Sequence, residues 1–589
     1  MNHFTRELLA VAITSFAFGL TGCGANKPEG QAADSGSGGE PQSNGGAAAS
    51  GAPAVDAGTG AGPASGTAGT AGVLGAGGIS TGNCAAPPAS DFNPLTTFKA
   101  PKLTASVIVT TAADSGPGSL RDAVQGAPDK AVIAFDKALA GKTIALGGVI
   151  ELSRSVTITA ADAPGLTIDA QQKGGALHFN GDAEARIAIW SLRFINGRTM
   201  GSGGAISTNG GKLDLEVGGC SFEQNSAGEG GAIRVGYAHD STTFIHDSVF
   251  SNNDGTLTNS GFSGGAISST GTELHIARCR FEKNKGSTSG AVYAIHANPL
   301  VEDSVFLDNS SVGGGGTGAL FVDGGGPGDD NSPSNTLGRE MILRSRFDGN
   351  RGSGSDGGAV MLWGYLMDTL TIEDSVLHAN QCAGAGKGGG AKLHARSSLR
   401  VARTAFVDNV SAAQGGGAWL DGEGPFAFEN VLFSGNRAEG DRGGGATFNV
   451  SGHVDLSNVS FVGNAAGQGC GAFWLNSKDN DVHLRNSIVA FNTAKNSWEI
   501  QAGYPPIDEG GNIEWPDPQA GSRVAPKGQL LDPKLSPLTQ ARGTFSLIPI
   551  AGSPAIGNAV APAPTTDLRG ALRDESPDTG AFEAGATCK

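Results

Sequence analysis

The sequence predicts a single-stranded parallel β-helix, an all-β solenoid of about a dozen coils with a short N-terminal capping helix. Three observations predict it. First, a large apolar residue followed three positions later by Asn recurs ten times: Phe222/Asn225, Phe250/Asn253, Phe281/Asn284, Phe306/Asn309, Phe347/Asn350, Leu377/Asn380, Phe406/Asn409, Phe433/Asn436, Phe461/Asn464 and Val489/Asn492. Second, a (G/x)-G-A motif recurs between them, carrying Ala205, Ala232, Ala266, Ala291, Ala319, Ala359, Ala391, Ala418, Ala446 and Ala472. Third, the residues seven and five before the large apolar one are themselves apolar, as in Leu215/Val217, Leu274/Ile276, Leu399/Val401 and Val482/Leu484. Period-two alternation marks strands with one buried face. Gly and Asn at fixed offsets mark corners that need positive φ or close backbone approach. A period of 25–31 residues, stretched once to 41, is that of a solenoid coil.

In such a stack each coil lies about 4.8 Å above the last, so equivalent residues form columns. The expectation is a Phe stack inside and an Asn ladder at a corner. One detail stays open. Ile206, Ile233 and Ile267 suggest that the residue after the motif Ala points inward, whereas Lys392 and Thr447 suggest that it points outward.

The elements follow in chain order. Residues 1–22 read as a signal segment, with Arg6 ahead of the apolar run LLAVAITSFAFG (8–19) and LTGC at 20–23. That run is too short for a permanent transmembrane helix. Residues 23–90 are Gly, Ala, Ser, Thr and Pro with few large apolar side chains, which predicts a disordered tether with an end-to-end distance of roughly 40–45 Å. Residues 91–495 hold the β-helix and its N-terminal cap, where GSLRDAVQGA (118–127) reads as a short amphipathic helix covering the open edge of the first coil. Residues 496–589 hold the last coils and a C-terminal cap.

Several stretches resemble known families. LTGC resembles the bacterial lipobox, which implies cleavage before Cys23, acylation of its thiol and, with Gly24 following, the outer membrane. The GGA(I/L/V) and FxxN motifs resemble those of chlamydial polymorphic membrane proteins. VIVTTAADSGPGSLRDAV (107–124) resembles the start of secreted bacterial right-handed β-helix proteins of the pectin lyase-like type. LLDPKLSPL (530–538), IAGSPAIGNA (550–559), TDLRG (566–570) and DTGAFE (578–583) resemble the choice-of-anchor tail of that group. These resemblances imply a right-handed helix and a lipid-anchored surface protein. Unlike the polymorphic membrane proteins, this chain has no C-terminal segment that reads as an outer-membrane barrel.

Charge and cysteines narrow the partners. The formal charge is −16 with no Lys/Arg-rich run, which argues against nucleic acid and against an anionic lipid surface. Cys220 and Cys279 share a column but lie two coils, about 9.6 Å, apart, too far for a disulfide. Both read as buried thiols in a column otherwise held by Ser and Thr. A Cys84–Cys588 bond would require the tether to run back along the stack. No spacing resembles a zinc site.

Three residues before successive Phe-type positions stand Asp247, Arg278, Asp303, Arg344, Asp374 and Arg403, followed by Asn430, Asn458 and Asn486. This column reads as an intercoil ion-pair ladder that fixes register, since a one-coil slip would set like charges together. The functional alternative is a charged strip for an acidic polymer or a cation. In FVDGGGPGDDNSPSN (321–335), Asp323, Asp329 and Asp330 offer oxygen ligands for Ca²⁺, but their spacing fits no defined loop and a solvated insertion is the better account. Trp363, Tyr365, Trp419 and Trp474 are either a sugar-stacking platform or coil-edge packing.

No catalytic motif emerges. The sequence therefore supports a monomeric, lipid-anchored binding or adhesion module for polysaccharide or a cell-surface protein, with no resident cofactor. The alternative is a polysaccharide lyase or glycoside hydrolase acting on an acidic polysaccharide.

Overall fold

The computed structural model describes residues 86–586, apart from 181–183, 237–240, 259–260, 327–336, 355–356, 477–480, 496–503, 517–523 and 542. Cys23, Cys84, Asp329, Asp330 and Cys588 lie outside the described residues, as do the signal segment and nearly all of the tether.

The chain winds into a right-handed parallel β-helix. Each coil visits three sheets in turn, named here for their residues. Among the described residues, the Gly-Ala sheet has 12 strands and contains Ile206–Asn209; the alternating sheet has 15 and contains Leu213–Gly218; the Phe sheet has 15 and contains Ser221–Glu223. A fourth sheet of nine two-residue strands, such as Lys285–Gly286, follows the Asn corner. The sole α-helix among the described residues, Leu120–Gly126, covers the first coil, with Ser119 capping it through the backbone N–H of Asp122.

The interior columns are continuous. Phe194, Phe222, Phe250, Phe281, Phe306 and Phe347 stack with ring centroids 4.6–5.2 Å apart and planes 5–7° from parallel. Leu377 interrupts the stack, and Phe406, Phe433 and Phe461 resume it. At the neighbouring corner each Asn amide is saturated. The Asn284 side-chain Nδ2 donates to Asn309 Oδ1 and to the Phe250 carbonyl, both at 3.0 Å, and the Asn284 backbone N–H shares the same Asn309 oxygen. The pattern repeats from Asn225 to Asn492.

The strand register settles the open column. Val360 pairs with Ala391, and Ala391 with Ala418, which puts Gly390, not Ala391, level with Ala359. Ala391, Ala418 and Ala446 therefore occupy the inward place of Ile206, Ile233 and Ile267. Lys392 and Thr447 lie one place further on and face outward.

The Phe sheet is covered on its outer side. The segment after Ala86 runs along it: Pro88 accepts from Arg346 Nε at 3.2 Å, Ser90 and Phe92 accept from Arg280, and Phe98 packs against His246. Gly219 takes φ +60 beneath Phe98, where a Cβ would lie 1.9 Å from the ring. From the other end come the hairpin Thr539–Ala541/Thr544–Ser546 and the tail beyond it. Phe545 contacts His378, and Gly543 accepts from Arg346.

Candidate functional site

The column that starts at Asp247 is the corner between the alternating and Phe sheets. Every member adopts positive φ, from 43° at Arg344 to 55° at Asn430. Asn and Asp tolerate this conformation, whereas Arg does so only under constraint. The constraint is visible. Arg278 forks onto both oxygens of Asp247 at 2.8 Å, Arg344 onto Asp303 at 2.8 and 2.9 Å, and Arg403 onto Asp374 at 2.6 and 2.8 Å. Arg344 and Arg403 also reach Glu302 and Glu373. Each Arg thus serves the coil before it, and the six residues form three pairs. The carboxylate bonds hold the three guanidiniums above their usual range. Burial pushes Asp247 upward, but its bonds to Arg278 and His246 outweigh this and lower it.

The three asparagines that end the column dock the C-terminal tail. Asn430 Nδ2 donates to the Thr566 carbonyl at 2.8 Å, Asn458 Nδ2 to those of Asp578 and Gly580, and Asn486 Nδ2 to that of Val560. Inside the tail, Arg573 bonds Glu583 Oε2 at 2.9 Å with both side chains buried, and it also reaches Asn430 Oδ1. The TDLRG and DTGAFE stretches are therefore parts of one buried polar knot. Cys220 and Cys279 are free, buried thiols, both pushed up to about 12 by desolvation. At the first pair of the column a hollow of about 460 Å³ opens between Phe98, Glu216, His246, Asp247 and Arg278.

A different surface gathers binding groups. On the Gly-Ala sheet, the first and third residues after the small corner face the core, and the second and fourth face outward. The second positions form the column Arg234, Ser268, Tyr293, Phe321, Met361, Lys392, Trp419, Thr447 and Trp474. The fourth positions place Asp323, Trp363, His394 and Asp421 beside it. Three of the tryptophans named from sequence thus share one face, two of them in a single column. Tyr365 lies just past its strand and donates its hydroxyl to Asp323 at 2.7 Å.

Cations sit on these rings. Lys387 Nζ lies 4.5 Å from the centre of Trp419, and Lys392 lies 5.5 Å from Trp419 and 5.7 Å from Trp363. Arg442 lies 5.5 Å from Trp474. Trp419 is only 5% exposed. Each of these rings has a cation within 4.5–5.7 Å of its centre. Cations held over aromatic rings present charge to an anion. Beside them the His394 ring stacks on Trp363 at 4.0 Å, and its Nδ1 meets Asp421 at 2.9 Å. No described residue bonds His394 Nε2.

Towards the N-terminal coils the same face is hollowed. One hollow of about 230 Å³ is lined by Glu229, Arg234, Phe262 and Tyr293. Another of about 440 Å³ is lined by Glu151, Lys173, His178 and Ser207. Sequence reasoning named the tryptophans and read Lys392 only as outward-pointing; it missed Lys387, His394 and Arg442. They stand next to the glycine-rich motif, where the frame of each coil was ambiguous.

No family model and no curated protein matches the chain. Solved structures similar in fold include a PL6 alginate lyase in complex with a trisaccharide, at 11% identity and TM-score 0.39, covering 82% of this chain and 98% of that one. Pectate lyase Pel9A follows at 14% and 0.32, covering 82% and 97%. The periplasmic alginate epimerase AlgG is 9% identical with TM-score 0.32, covering 70% and 82%. This likeness concerns the β-helix fold alone.

Proposed function

We propose that the protein binds an acidic polysaccharide lengthwise along the outer face of its Gly-Ala sheet, as a cell-surface module tethered to the outer membrane by a lipid on Cys23. The observation that carries the binding reading is the set of cations over Trp419, Trp474 and Trp363 on one outward face. The coil rise of about 4.8 Å repeats that face along the stack, as a linear polymer requires. The anchor rests on the LTGC sequence.

A second reading is cleavage of the bound polymer. It rests on His394, whose Nδ1 is held by Asp421 and whose Nε2 is buried with no described partner, with Lys392 on the same strand; contact with a polymer requires the side chains over that nitrogen to move aside. An oriented imidazole beside a cation is the equipment for proton abstraction next to a carboxylate.

The test applies the full-length protein to immobilised polygalacturonate, alginate and a neutral glucan, with and without Ca²⁺. Retention on the acidic polymers, weakened by salt and by Lys387→Ala/Lys392→Ala, is expected. Equal retention on the neutral glucan would overturn the acidic reading. Release of reducing ends or unsaturated products, lost in His394→Ala, would establish the second.

A further inference from the structure

We propose that His453, Asp481 and His483 form a site for a divalent transition-metal cation of the zinc type on the alternating sheet, away from the polysaccharide face. His453 stands opposite Asp481, and Asp455 opposite His483, on adjacent coils in register. Ligand-capable atoms of His453, Asp481 and His483 all lie within 4.8 Å of one another. His453 Nδ1 meets one Asp481 oxygen at 2.9 Å, and His483 Nε2 meets the other at 2.8 Å. Two imidazoles and a carboxylate are the donor set zinc accepts, with a water in the fourth place, at distances of about 2.0–2.2 Å. Tetrahedral ligation at those distances sets ligand atoms roughly 3.4 Å apart, between the 2.8–2.9 Å His–Asp contacts and the 4.8 Å span of the group. Ca²⁺ and Mg²⁺, which take oxygen ligands, are poorly served.

The second layer is already built. His453 Nε2 faces Asp455 at 3.2 Å, and His483 Nδ1 faces Glu509 at 2.7 Å. The far nitrogen of each candidate ligand is thus oriented by a carboxylate, as metal-binding histidines require. Glu509 reaches this place through a register break between Leu484 and Arg485 against the last strand of the sheet. Arg485 also bonds Glu509.

Charge leads to the same conclusion. Without metal, all four ring nitrogens face carboxylate oxygens, so both rings act as double donors. The charged groups that face the two rings are Asp455, Asp481 and Glu509, with Arg485 on Glu509. A divalent cation replaces the two protons between the histidines and Asp481 without changing the net charge. The side chain of Asp481 is 53% exposed, which leaves an entry path.

The test titrates the purified full-length chain with Zn²⁺ by calorimetry and with Co²⁺ by visible absorption. One equivalent should bind with release of protons, more tightly at about pH 8 than at pH 6. His453→Gln/His483→Gln should abolish that equivalent. Glu509→Gln, which touches no metal, should weaken it roughly 10-fold or more. Unchanged thermal midpoints in the metal-free variants would show that folding is intact. Binding that survives the double His variant, or no Co²⁺ spectrum and no Zn²⁺ heat at millimolar metal, would overturn the proposal.

Discussion

Arg344 grips both carboxylate oxygens of Asp303 in the coil before it, at 2.8 and 2.9 Å, and makes no hydrogen bond to Asp374 in the coil after. The charge column is therefore punctuated, with a strong contact and a weak one alternating along the stack. Arg344→Asp would set three like charges in successive coils, whereas Arg344→Ala only empties the position. The Asp variant should melt lower, by the equivalent of about 1 kcal/mol or more beyond the Ala variant. Equal midpoints by circular dichroism would deny the column a role in register.

Glu340 should make stability depend on pH. It points into the core level with Leu370, fully buried, and neither carboxyl oxygen has a partner. Burial, with Asp368 and Asp323 nearby, holds it well above the usual carboxylate range. The folded state keeps its proton where the unfolded state releases it. Its contribution is therefore complete below the ordinary Glu range and is lost as pH rises towards the elevated folded value. Denaturant midpoints should fall as pH rises above the ordinary Glu range, and Glu340→Leu should remove that slope and raise stability by about 1–3 kcal/mol. A slope unchanged in the variant would refute this.

The tail should detach when its knot is cut. Arg573→Met leaves Glu583 buried without its partner, a change that typically costs about 3–5 kcal/mol. Limited proteolysis should then release the tail beyond residue 550 before the coils are attacked. Simultaneous loss of tail and coils would mean that the cap and the stack fold as one unit.

Asn309→Ala removes a rung at mid-ladder. It strands the Asn284 backbone N–H, the Asn284 amide and the Phe281 carbonyl in a buried corner. About 2–4 kcal/mol of destabilisation is expected, read as a lower urea midpoint. A change under about 0.5 kcal/mol would mean that neighbouring coils repair the gap.

Cys23→Ser tests the anchor. The variant should leave the membrane fraction while still being exported. Retention in that fraction would sink the lipid reading.

Much of the fold was legible because a coil repeats its inward face. Phe222 and Phe250, or Asn284 and Asn309, are recognisable from identity and spacing alone. The Gly-Ala frame was not. In KGGGAKLH (387–394) an extra glycine makes Ala391 look equivalent to Ala359, and only strand pairing shows that Gly390 holds that place. The outward face was harder still. Trp363 and His394, or His453 and Asp481, are about one coil apart in sequence, and nothing in their local pattern says that they touch. Glu340 sits where alternation predicts an apolar residue. The segment from Ala86 to Phe98 lacks periodicity, because it pairs with no sheet and is held by isolated side chains such as Arg280 and Arg346.

That segment gives the molecule a mechanical fuse. Tension entering at Ala86 does not fall first on the opening strand, Val107–Val109. It meets Arg346 at Pro88, then Arg280 at Ser90 and Phe92, then Phe98 wedged over Gly219. Each grip can yield in turn and re-form when the load drops. The stretch from 86 to 107 has a contour of roughly 70 Å, of which its run along the stack already takes up roughly 40 Å, so its release adds on the order of 30 Å before any coil is pulled. A β-helix so built would yield along this covering segment before any strand of the Gly-Ala sheet is disturbed.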